Sequence, residues 1–167
     1  MNIDLQNSEH DLSYAPSFDQ STSVREEMEI EATLEEWANF MRERNLEGAL
    51  SVYGEKAINY DLTSTLSYKG IQIIREKLEK WFASFESDIV VDIEDVHIRA
   101  EKTIGFAHCL IRFMGDKAGT HEGEDMYNRT TFCFEKVGND WLISHEHSSL
   151  PFNLNDGKVM LDLRPHH

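Results

Sequence analysis

The run "NDWLISHEHSSLPF", Asn139 to Phe152, sets two histidines around a glutamate at the end of an apolar stretch. On a strand, His145 and His147 point to one side, and a metal or a general acid–base pair can use that geometry. Strict alternation puts Trp141, Ile143, His145 and His147 on one face and Leu142, Ser144, Glu146 and Ser148 on the other. A bulge near Ser144 would turn the histidines inward instead, because a one-residue slip flips every side chain. Both readings stand at this point. Zinc sites normally take three or four protein ligands, and no HxxE or CxxC lies nearby, so no metal is expected.

Three other places hold chemistry-bearing side chains. In "FAHCLIRF", Phe106, His108, Leu110 and Arg112 share one face, while Ala107, Cys109, Ile111 and Phe113 form a uniformly apolar face. The mixed row fits the wall of a ligand pocket, which is mostly apolar with a few convergent polar groups. In "YNRTTFCFEK", Arg129, Thr131 and Cys133 share a face opposite Asn128, Thr130, Phe132 and Phe134. Asp61 closes the apolar run "AINYDL", where a carboxylate is either exposed or useful as a proton acceptor. Tyr60 points the other way and is expected to be packing.

Charge and composition narrow the partners. The formal net charge is -15, which repels nucleic acid and anionic membrane surfaces. No apolar run approaches the ~20 residues that span a bilayer. The first residues show no basic region followed by an apolar core, so no secretory leader is expected. Cys109 and Cys133 give no disulfide framework and read as buried free thiols, consistent with a cytoplasmic protein.

The elements that must hold these groups follow from periodicity. Residues 1–26 are polar and read as a mobile arm, and one domain is expected over 27–165. Ile30, Leu34, Trp37 and Met41 mark one face of a helix. Asn45 opens a short second helix, "LEGALSVY". "KAINYDL" is a strand, and Ile71, Ile74, Leu78, Phe82 and Phe85 mark a third helix after Gly70. Four strands follow, the last two joined as a hairpin across Gly138-Asn139. The order predicts an α+β domain, three N-terminal helices against a curved antiparallel sheet.

The segments "WANFMRERNLEGALSVY", "AINYDL", "NRTTFCFEK" and "DWLISHEHSSLPF" together resemble the SnoaL-like proteins, within the ketosteroid-isomerase and nuclear-transport-factor-like superfamily. The resemblance implies a cone-shaped half-barrel, usually a homodimer, with a deep pocket for a small molecule between sheet and helices. It places Asp61 at the proton-shuttling aspartate of the steroid isomerases and Trp37 where they carry an oxyanion-binding tyrosine. It favours Arg129 inside the cone, with Glu146 and Ser148 inward and the histidines outward. An indole is no phenol, and Arg129 stands near where the isomerases have an acid, so ketosteroid isomerisation itself is not expected. Phe132, Phe134, Trp141 and Ile143 would then give the dimer its apolar convex surface.

Two functional readings follow. In the first, the protein is a cofactor-free enzyme of isomerase, cyclase or hydratase type on a carbonyl- or carboxylate-bearing substrate. Asp61 takes a proton and His108 relays it. Arg112 and Arg129 hold an anionic oxygen, Glu146 orients an arginine, and Trp37 and Ser148 line the ligand. The alternative is a non-catalytic ligand-binding or oligomerisation domain, similar to the association domain of calmodulin-dependent kinase. Its pocket arginines sit at positions like Arg112 and Arg129.

Overall fold

The computed structural model describes residues 20–62, 65–119 and 123–165. Helix α1 spans Gln20–Arg42, α2 Leu46–Ser51 and α3 Ile71–Ala83. The strands are β1 Tyr53–Tyr60, β2 Tyr68–Lys69, β3 Val90–Ala100, β4 Ile104–Asp116, β5 Gly123–Val137 and β6 Asp140–Ser149. They form one six-stranded sheet in the order β2-β1-β6-β5-β4-β3. Only β1 and β6 run parallel; the other pairs are antiparallel. The result is the α+β architecture expected, with a short second strand that the sequence pattern did not suggest. No helix among the described residues is long and apolar enough to cross a membrane.

Of the arm expected over residues 1–26, residues 1–19 lie outside the described residues; Gln20 to Glu26 belong to α1. Polar contacts rather than an apolar stripe tie down this first part of the helix. Ser23 Oγ donates to the Ala100 carbonyl at 3.3 Å. Glu26 Oε2 receives Lys136 Nζ at 2.5 Å and Trp141 Nε1 at 3.2 Å. Further along, Ile30, Leu34, Trp37, Ala38 and Met41 are buried. Asn45 caps α2 by accepting from Gly48 N at 2.9 Å.

The face of the sheet toward the helices, the inner face, carries the core. Val91, Ala107, Cys109, Ile111, Phe132, Phe134, Trp141 and Ile143 join the helix residues in one buried cluster. Trp37 meets Phe132 edge-on, with ring centroids 5.4 Å apart. This corrects the expectation of an apolar convex surface: Phe132, Phe134, Trp141 and Ile143 are core, not dimer contacts. The four bury too much apolar surface to be left facing water while a helix layer is available to cover them.

Irregularities shape the site. In β3 the register with β4 shifts between Glu94 and His97, and Asp95 takes φ 52. In β6 the register with β5 shifts so that Cys133 pairs with His145 but Phe134 pairs with Ile143. Ser144 is the extra residue, and its hydroxyl donates to the Cys133 carbonyl at 3.2 Å. The β5–β6 hairpin turns through Gly138 and Asn139, between the paired Val137 and Asp140. Gly138 sits at φ 66, which glycine adopts without a Cβ clash.

Candidate functional site

The Ser144 bulge decides which groups reach the interior. Before it, Trp141 and Ile143 face inward; after it, Glu146 and Ser148 do, and all four are buried. Neither strict alternation nor a simple inversion describes the strand. Glu146 points inward, and His145 and His147 lie on the outer face. There Tyr60 meets both rings, with centroids 4.8 and 5.7 Å away. His145 Nδ1 is 2.9 Å from the Ile58 carbonyl.

Inside, the polar groups form chains with a definite direction. Trp37 Nε1 donates to the Tyr53 hydroxyl at 3.1 Å, and that hydroxyl donates to Glu146 Oε2 at 2.6 Å. The second distance suits a hydroxyl on a carboxylate. Burial first, and then the Glu146 carboxylate, push the Tyr53 phenol well above its usual pKa; the Asp61 charge adds to this. Both carboxyl groups therefore act on the same phenol. Cys109 is pushed up to about 12 by burial and by Glu146, so it is a neutral thiol in the core.

A second chain runs beside the first. Thr130 Oγ1 lies 2.8 Å from Asn128 Oδ1 and 2.9 Å from Ser148 Oγ. An amide oxygen only accepts, so Thr130 donates to Asn128 and Ser148 donates to Thr130. At the end of β1, Lys77 Nζ on α3 is 2.9 Å from Asp61 Oδ2 and 3.3 Å from Asn59 Oδ1. The other Asp61 oxygen accepts from Leu62 N at 2.8 Å. Asn59 is the Cα partner of Glu146 across the β1–β6 pair, which ties the two groups of contacts together.

The structure therefore brings together Trp37, Asp61, Glu146 and Ser148 from the sequence-derived set, and separates His108, Arg112 and Arg129 from them. His108 is exposed on the outer face, with its ring stacked 5.0 Å from His97 and 6.4 Å from Phe106. Arg112 forms a two-point ion pair with Asp125, at 2.8 and 3.1 Å. Arg129 is exposed and pairs across the sheet with Leu110 and Ser149. The physical reason is common to all three. The apolar row Ala107, Cys109 and Ile111 is worth more against the helices than the mixed row. On β5 the neutral Asn128 and Thr130 can be satisfied inside without burying a charge. The expectation that Glu146 orients an arginine fails with it; Tyr53 is its partner.

Tyr53, Asn59, Lys77, Asn128 and Thr130 were not among the expected site residues. Asn59 and Asn128 were visible in principle, as amides alternating with apolar residues on strands. Lys77 falls between Ile74 and Leu78, on the edge of the third apolar stripe. Tyr53 was read as the end of the second helix, "LEGALSVY", but that helix stops at Ser51 and Tyr53 opens β1.

Two clefts lie on or beside the outer face. One of 490 Å³ runs between the start of α1 and the β3–β4 strands, lined among others by Met28, Val96, His97, Phe106 and His108. The other, of 550 Å³, is lined among others by Ile104, Phe106, Cys133 and Ser144. Neither is lined by Asp61, Tyr53 or Glu146. No group of three or more metal-ligating side chains is gathered among the described residues.

A helix layer over the inner face of a curved six-stranded sheet, with polar chains buried between them, defines a cone-shaped α+β domain of the nuclear-transport-factor-like kind. The chain belongs to the SnoaL-like domain family, whose family profile matches residues 30–153. It is similar to a solved NTF2-like protein of unknown function from Pseudomonas putida KT2440. The two share 24% identity over 86% of this chain and 99% of that one, with TM-score 0.78. A putative scytalone dehydratase from Novosphingobium aromaticivorans covers 77% of this chain and 86% of its own length at 12% identity, TM-score 0.71. A ketosteroid isomerase-like protein from Erwinia carotovora atroseptica covers 74% of this chain and 95% of its own at 14% identity, TM-score 0.65. At these identities the likeness is one of fold. No curated protein matches the chain at a significant level of sequence similarity.

Proposed function

We propose that the protein binds a small carbonyl- or carboxylate-bearing molecule against the inner polar groups and moves a proton on it without a cofactor, as an isomerase, cyclase or hydratase does. The observation that carries this reading is the buried Tyr53 phenol held on the Glu146 carboxylate, with Asp61 two residues along the chain from Asn59, the cross-strand partner of Glu146. Tyr53 donates to Glu146 at 2.6 Å, and it also feels the charge of Asp61. Asp61 takes the proton from carbon beside the carbonyl, and Tyr53 and Glu146 form the donor–acceptor pair that can return it elsewhere. Trp37 fixes the phenol oxygen from behind; Asn128 offers its amide hydrogens to the ligand, and Ser148, whose hydrogen goes to Thr130, offers its oxygen as an acceptor. His108, Arg112 and Arg129 take no part. Relatives of this fold whose names include dehydratase and isomerase-like are in keeping with such chemistry.

The arginines that motivated the binding-domain alternative lie outside the cone, so that reading has no site residues of its own here. Self-association is a separate matter. We place the homodimer contact on the outer face, where Ile104 and Phe106 are exposed beside His108.

Deuterium exchange into a panel of ketones, esters and keto acids tests the proposal. Wild type should exchange the hydrogen beside the carbonyl of at least one compound, and Asp61→Asn should slow it by two orders of magnitude or more, about the contribution of a positioned base. Exchange in Asp61→Asn as fast as in wild type removes Asp61 as the base. No exchange into any compound, with binding intact, removes the enzymatic reading.

A further inference from the structure

The chain that follows β6 is ordered by its own hydrogen bonds but leaves its apolar side chains outside. Asn153 N donates to the Lys158 carbonyl at 2.8 Å, and Gly157 N donates to the Asn153 carbonyl at 2.8 Å. Met160 N donates to the Pro151 carbonyl at 2.9 Å, and Phe152 bridges antiparallel to Val159. These bonds close a small hairpin arm. Leu154 near its tip is 88% exposed, and Phe152, Val159, Leu161 and Leu163 are exposed with it. Apolar side chains gathered so closely on the surface mark a contact. Both ends of the arm are fixed at one end of the sheet. Ser149 pairs with Arg129, and Arg164 Nη2 lies 3.2 Å from Asp125 Oδ2 with its guanidinium over the Tyr127 ring. Because β6 runs antiparallel to β5, it leads the arm toward the start of β5 and away from Cys133.

The 550 Å³ cleft lies at the other end of the same strands. Ile104, Phe106, Cys133 and Phe134 line it, Ile104 and Phe106 are exposed, and no residue of the arm reaches it. Along β5, Asp125 and Cys133 are separated by roughly 27 Å at about 3.4 Å per residue. We infer that two copies of the chain pair through their outer faces and exchange these C-terminal arms, each arm seating Phe152 and Leu154 in the partner's cleft. The inference rests on the outer-face contact proposed above and specifies what covers it. A two-fold axis lying between the faces and across the strands sets the two sheets antiparallel. It brings the arm end of each copy over the cleft end of the other, and one operation buries both arms. Charge favours the same seating. The chain carries -15, and like charges across an interface are costly. Within the arm, however, Asp156 and Asp162 are balanced by Lys158 and Arg164. The cleft is rimmed by Glu101 and Glu135, while its Arg99 is engaged by Glu27 at 3.4 Å and by the Ile98 carbonyl at 3.0 Å. Lys158, beside the tip, is the cation that meets those two carboxylates.

Leu154→Cys tests the seating, because Leu154 is exposed and Cys133 already lies in the cleft. The full-length variant is treated with diamide, which is reduced as two thiols join, and is then analysed without reductant. A covalent dimer should form, peptide mapping should join position 154 to Cys133, and adding Cys133→Ser should abolish the link. In sedimentation, Leu154→Glu should raise the dimer dissociation constant at least about tenfold, as loss of an apolar anchor does. Lys158→Glu should raise it about threefold, the effect of an exposed ion pair, and Glu135→Lys in the same chain should recover the loss. A link between position 154 and Cys133 within one monomer overturns the exchange. A link between the two introduced thiols sets arm against arm and overturns the cleft assignment. A dimer that Phe106→Glu dissociates and Leu154→Glu leaves intact overturns the arm but keeps the outer-face contact. A wild-type chain that sediments as a monomer at every concentration, or a dimer that neither substitution weakens, overturns both.

Discussion

Replacing Tyr53 by Phe isolates the hydroxyl at the centre of the site. The ring stays, so the apolar area buried by Tyr53 is unchanged. What goes is one oxygen that serves two partners, Trp37 Nε1 at 3.1 Å and Glu146 Oε2 at 2.6 Å. Losing the neutral indole bond costs about 1 kcal/mol and losing the bond to a charged acceptor about 1.5–3 kcal/mol. The sum of roughly 3 kcal/mol is a large part of the ~5–15 kcal/mol that holds a domain together. A hydroxyl that mattered only to the surface would change stability by less than about 0.5 kcal/mol. A cycle with Glu146→Gln separates the two bonds. With a neutral acceptor, the phenol's charge-assisted bond is already weakened, so Tyr53→Phe should cost about half as much in that background. Urea unfolding at neutral pH, read by far-ultraviolet circular dichroism, gives all four free energies. A Tyr53→Phe protein as stable as wild type, or strict additivity with Glu146→Gln, would refute the directed chain from Trp37 to Glu146.

Other expected outcomes rest on separate features. Lys136 Nζ, and then Arg25, hold the Glu29 carboxyl down to about 2 from 4.5. A folded pKa below the unfolded one adds stability that is present above pH 4.5 and lost as pH falls through that window toward 2. The gap in urea midpoint between wild type and Lys136→Met should therefore narrow from pH 7 to pH 3, and an unchanged gap would argue against the ion pair. A Cβ at Gly105 would strike Ile30 Cδ1 and sit 3.1 Å from the Arg99 carbonyl, so Gly105→Ala should cost about 1–3 kcal/mol by overpacking. Thermal unfolding measures it, and an unchanged midpoint would mean that α1 is free to move off β4. If copies pair through the outer face, Phe106→Glu should turn a dimer into a monomer in sedimentation; an intact dimer would put the contact elsewhere.

The helices and strands were legible because each carries its own period. Ile30, Leu34, Trp37 and Met41 report a helix, and the turn at Gly138-Asn139 reports a hairpin. The faces were harder. For β4 the sequence offers two rows, one apolar and one mixed, and reading the mixed row as the pocket wall put His108 and Arg112 inside. Area burial decides the other way, since Ala107, Cys109 and Ile111 are all buried against the helices. On β5 Arg129 followed β4 outward, because antiparallel partners share a face. The inner polar groups that took their place are uncharged or paired. Asn128, Thr130 and Ser148 are linked to one another, and a hydrogen-bond chain of that kind exists only once β5 and β6 are in register.

The Ser144 bulge explains why one strand can supply both a floor and a site. Without it, the face that buries Trp141 and Ile143 would continue into His145 and His147, and Glu146 would be outside. One extra residue lets the apolar half of β6 seal the core while the polar half presents Glu146 to Tyr53 and Ser148 to Thr130. The two histidines that drew attention in the sequence are moved to the outer face by the same step, beside Tyr60. The bulge has a hydrogen bond of its own, from Ser144 Oγ to the Cys133 carbonyl, so the offset is held locally rather than forced by distant packing. A strand end of this design couples fold and chemistry at one residue. Deleting Ser144 removes only the unpaired residue: Ile143 still meets Phe134 and His145 still meets Cys133, so Glu146 keeps its inward place and the Tyr53 phenol its carboxylate. The absorbance titration of Tyr53 should therefore stay raised, as in wild type. A Ser144 deletion that folds but titrates Tyr53 like a free tyrosine would show that the bulge itself, and not the alternation on either side of it, holds Glu146 inside.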